Sequence, residues 1–527
     1  MAAVDISPAS AVHRRARYAP AATAVVYEDY EISAGELSRR VFALAAGLAG
    51  EGLRRGDRIA YLGLNSAAFL ESLLAAAHLG AIFVPVNHRL AAAEVSHILT
   101  DCGAHTLVVE EGHRELVESI RSGIPARSTV LVDTDPACPP SSALSPAWTQ
   151  LSGLLGAEES LREPVPLRQD DLAALMYTSG TTGRPKGVML THGNLWWNAL
   201  NVDSVVDTRA DDVNLAVAPL FHIGGLNALT LRTLVRGGTV VVRRGFDPAQ
   251  CLDDLVRHRV TSLFAVPAMY AALARTAGFA EADLGALRAV IVAGAPVPPQ
   301  LIRDFAARGL LLQQAWGLTE TAPFATYLPA GLTLQKTGSA GAPMPYTEVC
   351  LINPVTGVKI NEADTRGEIC VRGPNVTQGY WNNPIATREA FDDSGWFHTG
   401  DVAHRDQDGF YFVVDRLKDM IISGGENVYP AEVERVLVEY PGVLEAAVIG
   451  VPDPKWGETV LAVLTCASGT TPTLEDVRTF AAEQLARYKL PTRLLVAEQL
   501  PRNASGKLAK TDLRRWVDEQ QAVGSTS

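Results

Sequence analysis

A two-domain α/β fold is predicted for this chain of 527 residues. Three observations predict it. Apolar runs of strand length alternate with helix-period segments from Arg58 to Val266, the texture turns to short strands and turn residues beyond Gly338, and helices and strands mix again from Lys418 onward. The length exceeds what one hydrophobic core ordinarily serves. The expected layout is a large N-terminal domain over 1–417, made of layered α/β subdomains and a small β subdomain, followed by a small α+β C-terminal domain over 418–527 with its boundary near Lys418.

Arg58 to Leu64 reads as a strand, Ser66 to Leu79 as a helix capped by Ser66, and Ala81 to Pro85 as a second strand. That is a βαβ unit, which demands a parallel sheet with covering helices. Ala91 to Asp101 continues as helix, and Thr106 to Glu110 and Thr129 to Asp133 as strands. Pro, Ser, Ala and Gly dominate from Pro136 to Pro166, which predicts a surface excursion. Ala173 to Tyr177 is then a buried strand, and a helix begins near Leu195. A second layered unit follows: strand Val213 to Pro219, a helix after Gly224-Gly225, strand Thr239 to Arg243, helix Pro248 to His258 and strand Ser262 to Val266. Ala289 to Val292 and Leu310 to Leu312 read as further strands. Val349 to Ile352, Glu368 to Arg372 and Tyr411 to Val414 make up the β-rich stretch. In the last domain Glu432 to Glu439 is helix, Val443 to Val451 and Thr459 to Thr465 are strands, and Leu474 to Leu485 and Lys510 to Gln520 are helices. Leu513, Trp516 and Val517 share one face of the last helix.

A formal net charge of −12 argues against nucleic acid as a partner, and the cluster Arg14, Arg15 and Arg17 reads as a solvated local patch. Six cysteines (Cys102, Cys138, Cys251, Cys350, Cys370, Cys466) are scattered without a paired spacing, so neither a zinc site nor a disulfide framework is suggested and a reducing, cytoplasmic setting is expected. The richest apolar run, Phe69 to Val84, is interrupted by Glu71, Ser72 and His78. It does not suit a membrane span, and any membrane contact would be peripheral.

The densest chemical signal is Tyr177-Thr178-Ser179-Gly180-Thr181-Thr182-Gly183-Arg184-Pro185-Lys186-Gly187, which packs hydroxyls, glycines and a lysine between two apolar segments. Glycines let backbone N–H groups approach an anion, hydroxyls add donors, and Lys186 supplies a charge for phosphate oxygens. The order is not that of a Walker A loop, because Lys186 follows proline and precedes glycine. A second constellation, Ala315-Trp316-Gly317-Leu318-Thr319-Glu320-Thr321, brings together an indole able to stack on a base, a glycine for close backbone approach and a carboxylate able to hold Mg²⁺. Taken alone, Thr319 and Glu320 also fit a helix start. Gly294-Ala295-Pro296 follows the strand Ala289 to Val292. Asp401, in Trp396-Phe397-His398-Thr399-Gly400-Asp401, suits a pair of ribose hydroxyls or an Asx-type turn.

Two more segments stand near the C-terminal domain. Asp415 to Asn427 carries Arg416, Lys418 and the run Ser423-Gly424-Gly425, while Pro501-Arg502-Asn503-Ala504-Ser505-Gly506-Lys507 presents one lysine among small residues. A lone lysine near a chain end is ordinarily solvated surface, and two glycines at a domain boundary are an ordinary turn. In Pro219-Leu220-Phe221-His222-Ile223-Gly224-Gly225, His222 suits either a ligand pocket or a core position.

Together, in this order and across essentially the whole chain, these segments resemble the adenylate-forming superfamily, which includes acyl-CoA synthetases, peptide-synthetase adenylation domains and beetle luciferases. The resemblance is greatest to fatty-acid–CoA ligases. It implies the adenylate-forming enzyme fold, with a mobile C-terminal domain turning about Lys418. It further implies that Thr178, Ser179, Gly180, Thr181, Thr182, Gly183 and Lys186 cradle the ATP phosphates. Gly294, Ala295, Pro296, Trp316, Gly317 and Thr319 would meet the nucleotide, Asp401 and Arg416 its ribose or phosphate edge, and Glu320 the Mg²⁺. Lys507 would be the catalytic lysine, Ser423, Gly424 and Gly425 the passage for the CoA thiol arm, and His222 would line the acyl pocket. The family normally has tyrosine where Trp316 stands, so stacking should survive while the phenol's hydrogen bond is lost.

The implied reaction has two halves. A carboxylate attacks the α-phosphorus of ATP to give acyl-AMP and pyrophosphate, and a thiol then displaces AMP. The implied partners are a small-molecule carboxylic acid of fatty-acid type, ATP and CoA, with Mg²⁺ as metal. Aryl or alicyclic acids are alternative substrates, an acyl carrier protein is the alternative acceptor, and a homodimer is an admitted assembly.

Overall fold

The computed structural model describes residues 5–139, 147–156, 163–178, 185–423, 426–454, 456–502 and 508–524. Two compact units result: Met1–Val349 with Cys370–His398 and Gly409–Tyr411, and Cys350–Ile369 with Thr399–Asp408 and Phe412–Ser527.

Two sheets organise the larger unit. One has nine strands in the order Ala342–Pro343, Phe324–Tyr327, Gln313–Gly317, Ala289–Val292, Ser262–Ala265, Val213–Ala216, Thr239–Val242, Thr23–Tyr27, Tyr30–Ser33. It is parallel from Gln313–Gly317 to Thr23–Tyr27 and antiparallel at both ends. The other has seven strands, Thr149–Gln150, Ser128–Val132, Thr106–Glu110, Arg58–Leu62, Ile82–Val86, Leu172–Thr178 and Lys186–Thr191, parallel except for the last. Strands covered on both faces read as continuous apolar runs, which is why Thr106–Glu110 and Ala289–Val292 are buried throughout.

Between the sheets lies helix Ala67–Leu79, whose thirteen residues are all buried. Ser66 accepts from the Phe69 N–H as its cap. Its side chains share one core with Tyr61 and Phe83 from one sheet and Val240 and Val242 from the other. Arg244, just past strand Thr239–Val242, donates to Glu110 at the end of Thr106–Glu110 and to Asp135, both at 2.6 Å. Tyr61 and Tyr27 donate to the same two carboxylates. Burial pushes the Glu110 carboxyl up, while the guanidinium opposes that shift.

Several expectations need correction. The strand expected at Leu310–Leu312 begins instead at Gln313, because Leu310 and Leu312 plug the helix-side core and pairing to Ile291 and Val292 starts at Gln313 and Gln314. The helix expected after Gly224-Gly225 is Thr230–Arg236, and the two glycines themselves lie inside a further short helix, Ile223–Asn227, that was not expected. A Cβ on Gly225 would stand 2.2 Å from the Pro219 carbonyl, and one on Gly224 2.7 Å from the Phe264 ring. The helix placed near Leu195 begins at His192, capped by Thr191. Within the proposed surface excursion, Thr149–Gln150 pairs as an edge strand and Trp148, Leu151 and Leu154 are buried. Arg15 is not solvated: it is buried and donates to the carbonyls of Gly238 and Thr23.

In the smaller unit Val443–Asp453 and Gly457–Cys466 form a long antiparallel pair, extended by Arg493–Val496 and by Ile421–Ser423. Period-two alternation splits its side chains. Val448, Val460, Ala462 and Leu464 pack with helices Pro430–Leu437 and Leu474–Ala481, whereas Ile449, Val451, Leu461 and Val463 pack with Leu513 and Val517 of helix Lys510–Gly524. Asp415 accepts from the Ala431 N–H at 2.6 Å at the start of helix Pro430–Leu437, where a carboxylate complements unsatisfied donors.

Candidate active site

Ligands of open parallel sheets sit beyond the carboxyl ends of the strands. At that edge of the nine-stranded sheet, Gly294-Ala295-Pro296 leave strand Ala289–Val292 exposed to solvent, with Gly294 at φ +88°. The half-buried Trp316 and Gly317 end the neighbouring strand. In the seven-stranded sheet, Leu172–Thr178 delivers Thr178 to its carboxyl end, opposite Lys186 in the ladder. Ser179, Gly180, Thr181, Thr182 and Gly183 lie outside the described residues.

Past Gly317 the chain makes a single 3₁₀ turn, Thr319–Thr321, in which the Leu318 N–H donates to Thr321 Oγ1 at 2.8 Å. Thr319 is therefore within the turn, and Leu318 holds the cap position considered for it. Gly317 has an internal reason to be glycine: a Cβ there would lie 1.8 Å from the Pro323 carbonyl oxygen. Side-chain amides hold the turn from outside. Asn227 donates to the Ala322 carbonyl at 2.6 Å, and Asn375 donates to those of Thr321 and Phe324 at 2.8 and 2.9 Å. The Thr377 N–H donates to the Glu320 carbonyl at 2.7 Å. Glu320 is thereby fixed with a buried side chain, 8% exposed.

Tyr380 joins Glu320 to Lys186. Its hydroxyl donates to Glu320 Oε1 at 2.9 Å, and the Lys186 ammonium lies 5.3 Å from its ring centroid, within cation–π range. Burial, then the neighbouring Glu320 charge, raises the Tyr380 phenol well above its ordinary pKa, so it stays protonated and donates. Thr178, Lys186, Glu320 and Tyr380 thus belong to one neighbourhood of the larger unit. A carboxylate oxygen is the donor Mg²⁺ takes and a lysine matches phosphate oxygens, so this set fits the magnesium-phosphate part of a nucleotide.

His222 is exposed at the start of helix Ile223–Asn227, which removes the core-position alternative. Its ring lies 4.4 Å from that of Phe221, which in turn meets His88 edge-on at 5.2 Å. Burial lowers the His88 pKa to about 4, so this imidazole is neutral at physiological pH. Asn65 pins the segment before His222, accepting from the Leu220 N–H at 2.8 Å and donating to the Ala218 carbonyl at 3.0 Å.

The smaller unit carries the other expected residues. Arg416 Nε lies 2.5 Å from Asp401 Oδ1, with Asp401 buried and Arg416 exposed. Asp401 sits in strand Phe397–Arg405, not in an Asx turn, and its own N–H donates to Thr399 Oγ1. Lys418 is exposed in the 3₁₀ turn Leu417–Asp419, and Ser423 ends strand Ile421–Ser423. Gly424, Gly425 and Lys507 lie outside the described residues.

The sequence reading missed Tyr380, Thr377 and Asn375, which orient Glu320. Their available signal was the polar, glycine-bearing run Asn375-Val376-Thr377-Gln378-Gly379-Tyr380, which follows the strand Glu368 to Arg372 after a Gly-Pro turn.

The AMP-binding enzyme model matches residues 12–381, and the AMP-binding enzyme C-terminal domain model matches residues 432–507. This chain belongs to the AMP-binding enzyme family. It is an ATP-dependent, AMP-forming acid–thiol ligase, working with ATP, Mg²⁺ and CoA. Among its family relatives, the feruloyl-CoA synthase of an Amycolatopsis species is 45% identical over 95% of this chain and 97% of its own length. The long-chain-fatty-acid–CoA ligase FadD13 of Mycobacterium tuberculosis is 39% identical, over 88% of each chain. The family structure of o-succinylbenzoate CoA synthetase from Bacillus subtilis, in complex with its acyl-adenylate intermediate, superposes with a TM-score of 0.83 at 33% identity, over 95% of this chain and 97% of that one. Among the described residues, no helix is long and apolar enough to cross a membrane.

Proposed function

We propose that this ligase activates an aromatic carboxylic acid, of the arylpropenoic type, as its acyl-AMP and transfers the acyl group to the thiol of CoA. The observation that carries the acid class is the 45% identity to a feruloyl-CoA synthase across nearly the whole of both chains. The expected fatty acid is the second reading, favoured by the 39% identity to a long-chain-fatty-acid ligase.

In this reading Trp316 stacks on the adenine, the backbone of Gly294 to Pro296 and the turn at Gly317 and Thr319 border it, and Asp401, steadied by Arg416, accepts from the ribose hydroxyls. Thr178 to Gly183 and Lys186 receive the β and γ phosphates. Mg²⁺, taken up at Glu320, supplies charge neutralisation at the phosphate oxygens when bound. Lys507 adds a positive charge where negative charge develops as the substrate carboxylate attacks the α-phosphorus and the bond to pyrophosphate breaks. Rotation about Lys418 then withdraws Lys507 and brings in Ser423, Gly424 and Gly425, whose small side chains leave room for a pantetheine arm. His222, exposed and backed by Phe221, borders the acid.

A panel of acids tests this: ferulate, benzoate, indole-acetate and saturated acids from C2 to C18, each followed for pyrophosphate and for thioester with and without CoA. CoA-dependent thioester with ferulate at the highest kcat/KM is the expected result. Preference for a long saturated acid would replace the first reading by the second, and pyrophosphate without thioester would make a carrier protein the acceptor.

A further inference from the structure

The strap Asn375 to Trp381 ties the Glu320 turn to the strand that begins with Lys186. At one end the Thr377 N–H donates to the Glu320 carbonyl, and the Thr377 hydroxyl donates to that of Met189. At the other, the Met189 N–H donates to Gly379 and the Trp381 N–H to Gly187, so Tyr380 is bridged to Val188. The Tyr380 N–H itself donates to Thr387 Oγ1 at 3.0 Å. A Cβ on Gly379 would lie 2.4 Å from the Thr387 side chain, so the strap sits tightly against helix Pro384–Ala390. Tyr380 thus has its backbone held on both sides while its side chain spans the space between two charged groups.

We propose that Tyr380 is a positioning residue that sets Glu320 and Lys186 for a metal-bound triphosphate, the hydroxyl orienting the carboxylate and the ring face seating the ammonium. This rests on the assignment of Glu320 and Lys186 to the magnesium and phosphate sites. The two halves of the side chain have separable duties. A hydroxyl that donates to one carboxylate oxygen fixes the rotamer, and so the direction in which the carboxylate meets a cation, at the cost of no charge. The ring face attracts the Lys186 ammonium and limits the volume it explores.

The experiment is Mn²⁺ binding to the full-length protein in the presence of α,β-methylene-ATP, read by the electron paramagnetic resonance of free Mn²⁺, alongside binding of inorganic pyrophosphate without metal and the melting temperature. Tyr380→Phe is expected to weaken Mn²⁺ about tenfold, the usual effect of removing a partner that orients a ligand, with pyrophosphate binding and melting temperature unchanged. Tyr380→Leu should weaken pyrophosphate binding as well, because the seat of Lys186 goes with the ring. Unchanged Mn²⁺ affinity in Tyr380→Phe, where Glu320→Gln loses it, would overturn the positioning role alone. Unchanged affinity in Glu320→Gln would instead overturn the assignment on which it rests.

Discussion

Asp401 and Arg416 lie on adjacent stretches of the smaller unit and pair with one another at 2.5 Å, the carboxylate buried and the guanidinium half-exposed. Each had been expected to meet the nucleotide directly. The pair is compatible with that proposal and adds to it a charge partner for Asp401 on the Oδ1 side.

A double-mutant cycle on this pair reads the coupling. Asp401→Asn and Arg416→Gln should each raise the KM for ATP about tenfold, and the double variant should be worse than either by less than the product. The interaction energy expected for side chains in contact is about 1 kcal/mol. Strict additivity would mean that the two act on ATP independently.

Replacement of Gly317 tests the turn that presents Glu320. A methyl group 1.8 Å from a backbone carbonyl cannot be accommodated without moving the turn. Gly317→Ala should therefore cost about 2–4 kcal/mol in denaturant unfolding and abolish pyrophosphate release. Gly331→Ala, where an added Cβ meets nothing within 4 Å, is the matched control and should change neither.

Acid sensitivity follows from buried imidazoles. His192 is 3% exposed, and burial lowers its pKa to about 4 from the ordinary 6.5. In the unfolded chain it takes up a proton near pH 6.5, so between 6.5 and about 4 the unfolded state holds more protons and stability falls with falling pH. The contribution is fully present above pH 6.5, and its loss approaches about 3 kcal/mol near pH 4. His13, driven to about 3 by burial and by His78, acts in the same direction. Urea midpoints at pH 7.5 and pH 5 should differ less in His192→Leu than in the parent; an equal difference would exclude His192 as a source.

In the proposed cycle Lys507 serves the first half-reaction only. Lys507→Ala should lower acyl-AMP formation at least a hundredfold while leaving thioester formation from supplied acyl-AMP near the parent rate. Equal loss of both steps would contradict domain rotation about Lys418.

Long buried runs were legible: Thr106–Glu110 and Ala289–Val292 have the bounds read from apolar residues bordered by polar and turn residues. Gln313–Gly317 was displaced because its leading residues are two polar glutamines, buried at 4% and 5% exposure where they pair, while the leucines before them serve the core outside the ladder. Helix Ile223–Asn227, ahead of the expected helix Thr230–Arg236, was not legible because glycine reads locally as a breaker, whereas here its missing Cβ permits close packing against Pro219. In the site, Glu320 was visible from its neighbours in sequence. Tyr380 was not, since it reaches Glu320 across sixty residues and its role depends on a strap whose register only the fold defines.

Arg244 has a mechanical consequence for the proposed nucleotide site, whose groups come from two sheets. Its guanidinium bridges carboxylates near the carboxyl edges where Thr178 and Trp316 also end their strands. Sliding one sheet against the other would strand a buried Glu110 or Asp135 without its counter-charge. Arg244 thus adds a fixed ionic span to the shared core at the level of these two edges, and the proposed nucleotide site would draw part of its rigidity from a residue that need never touch the nucleotide.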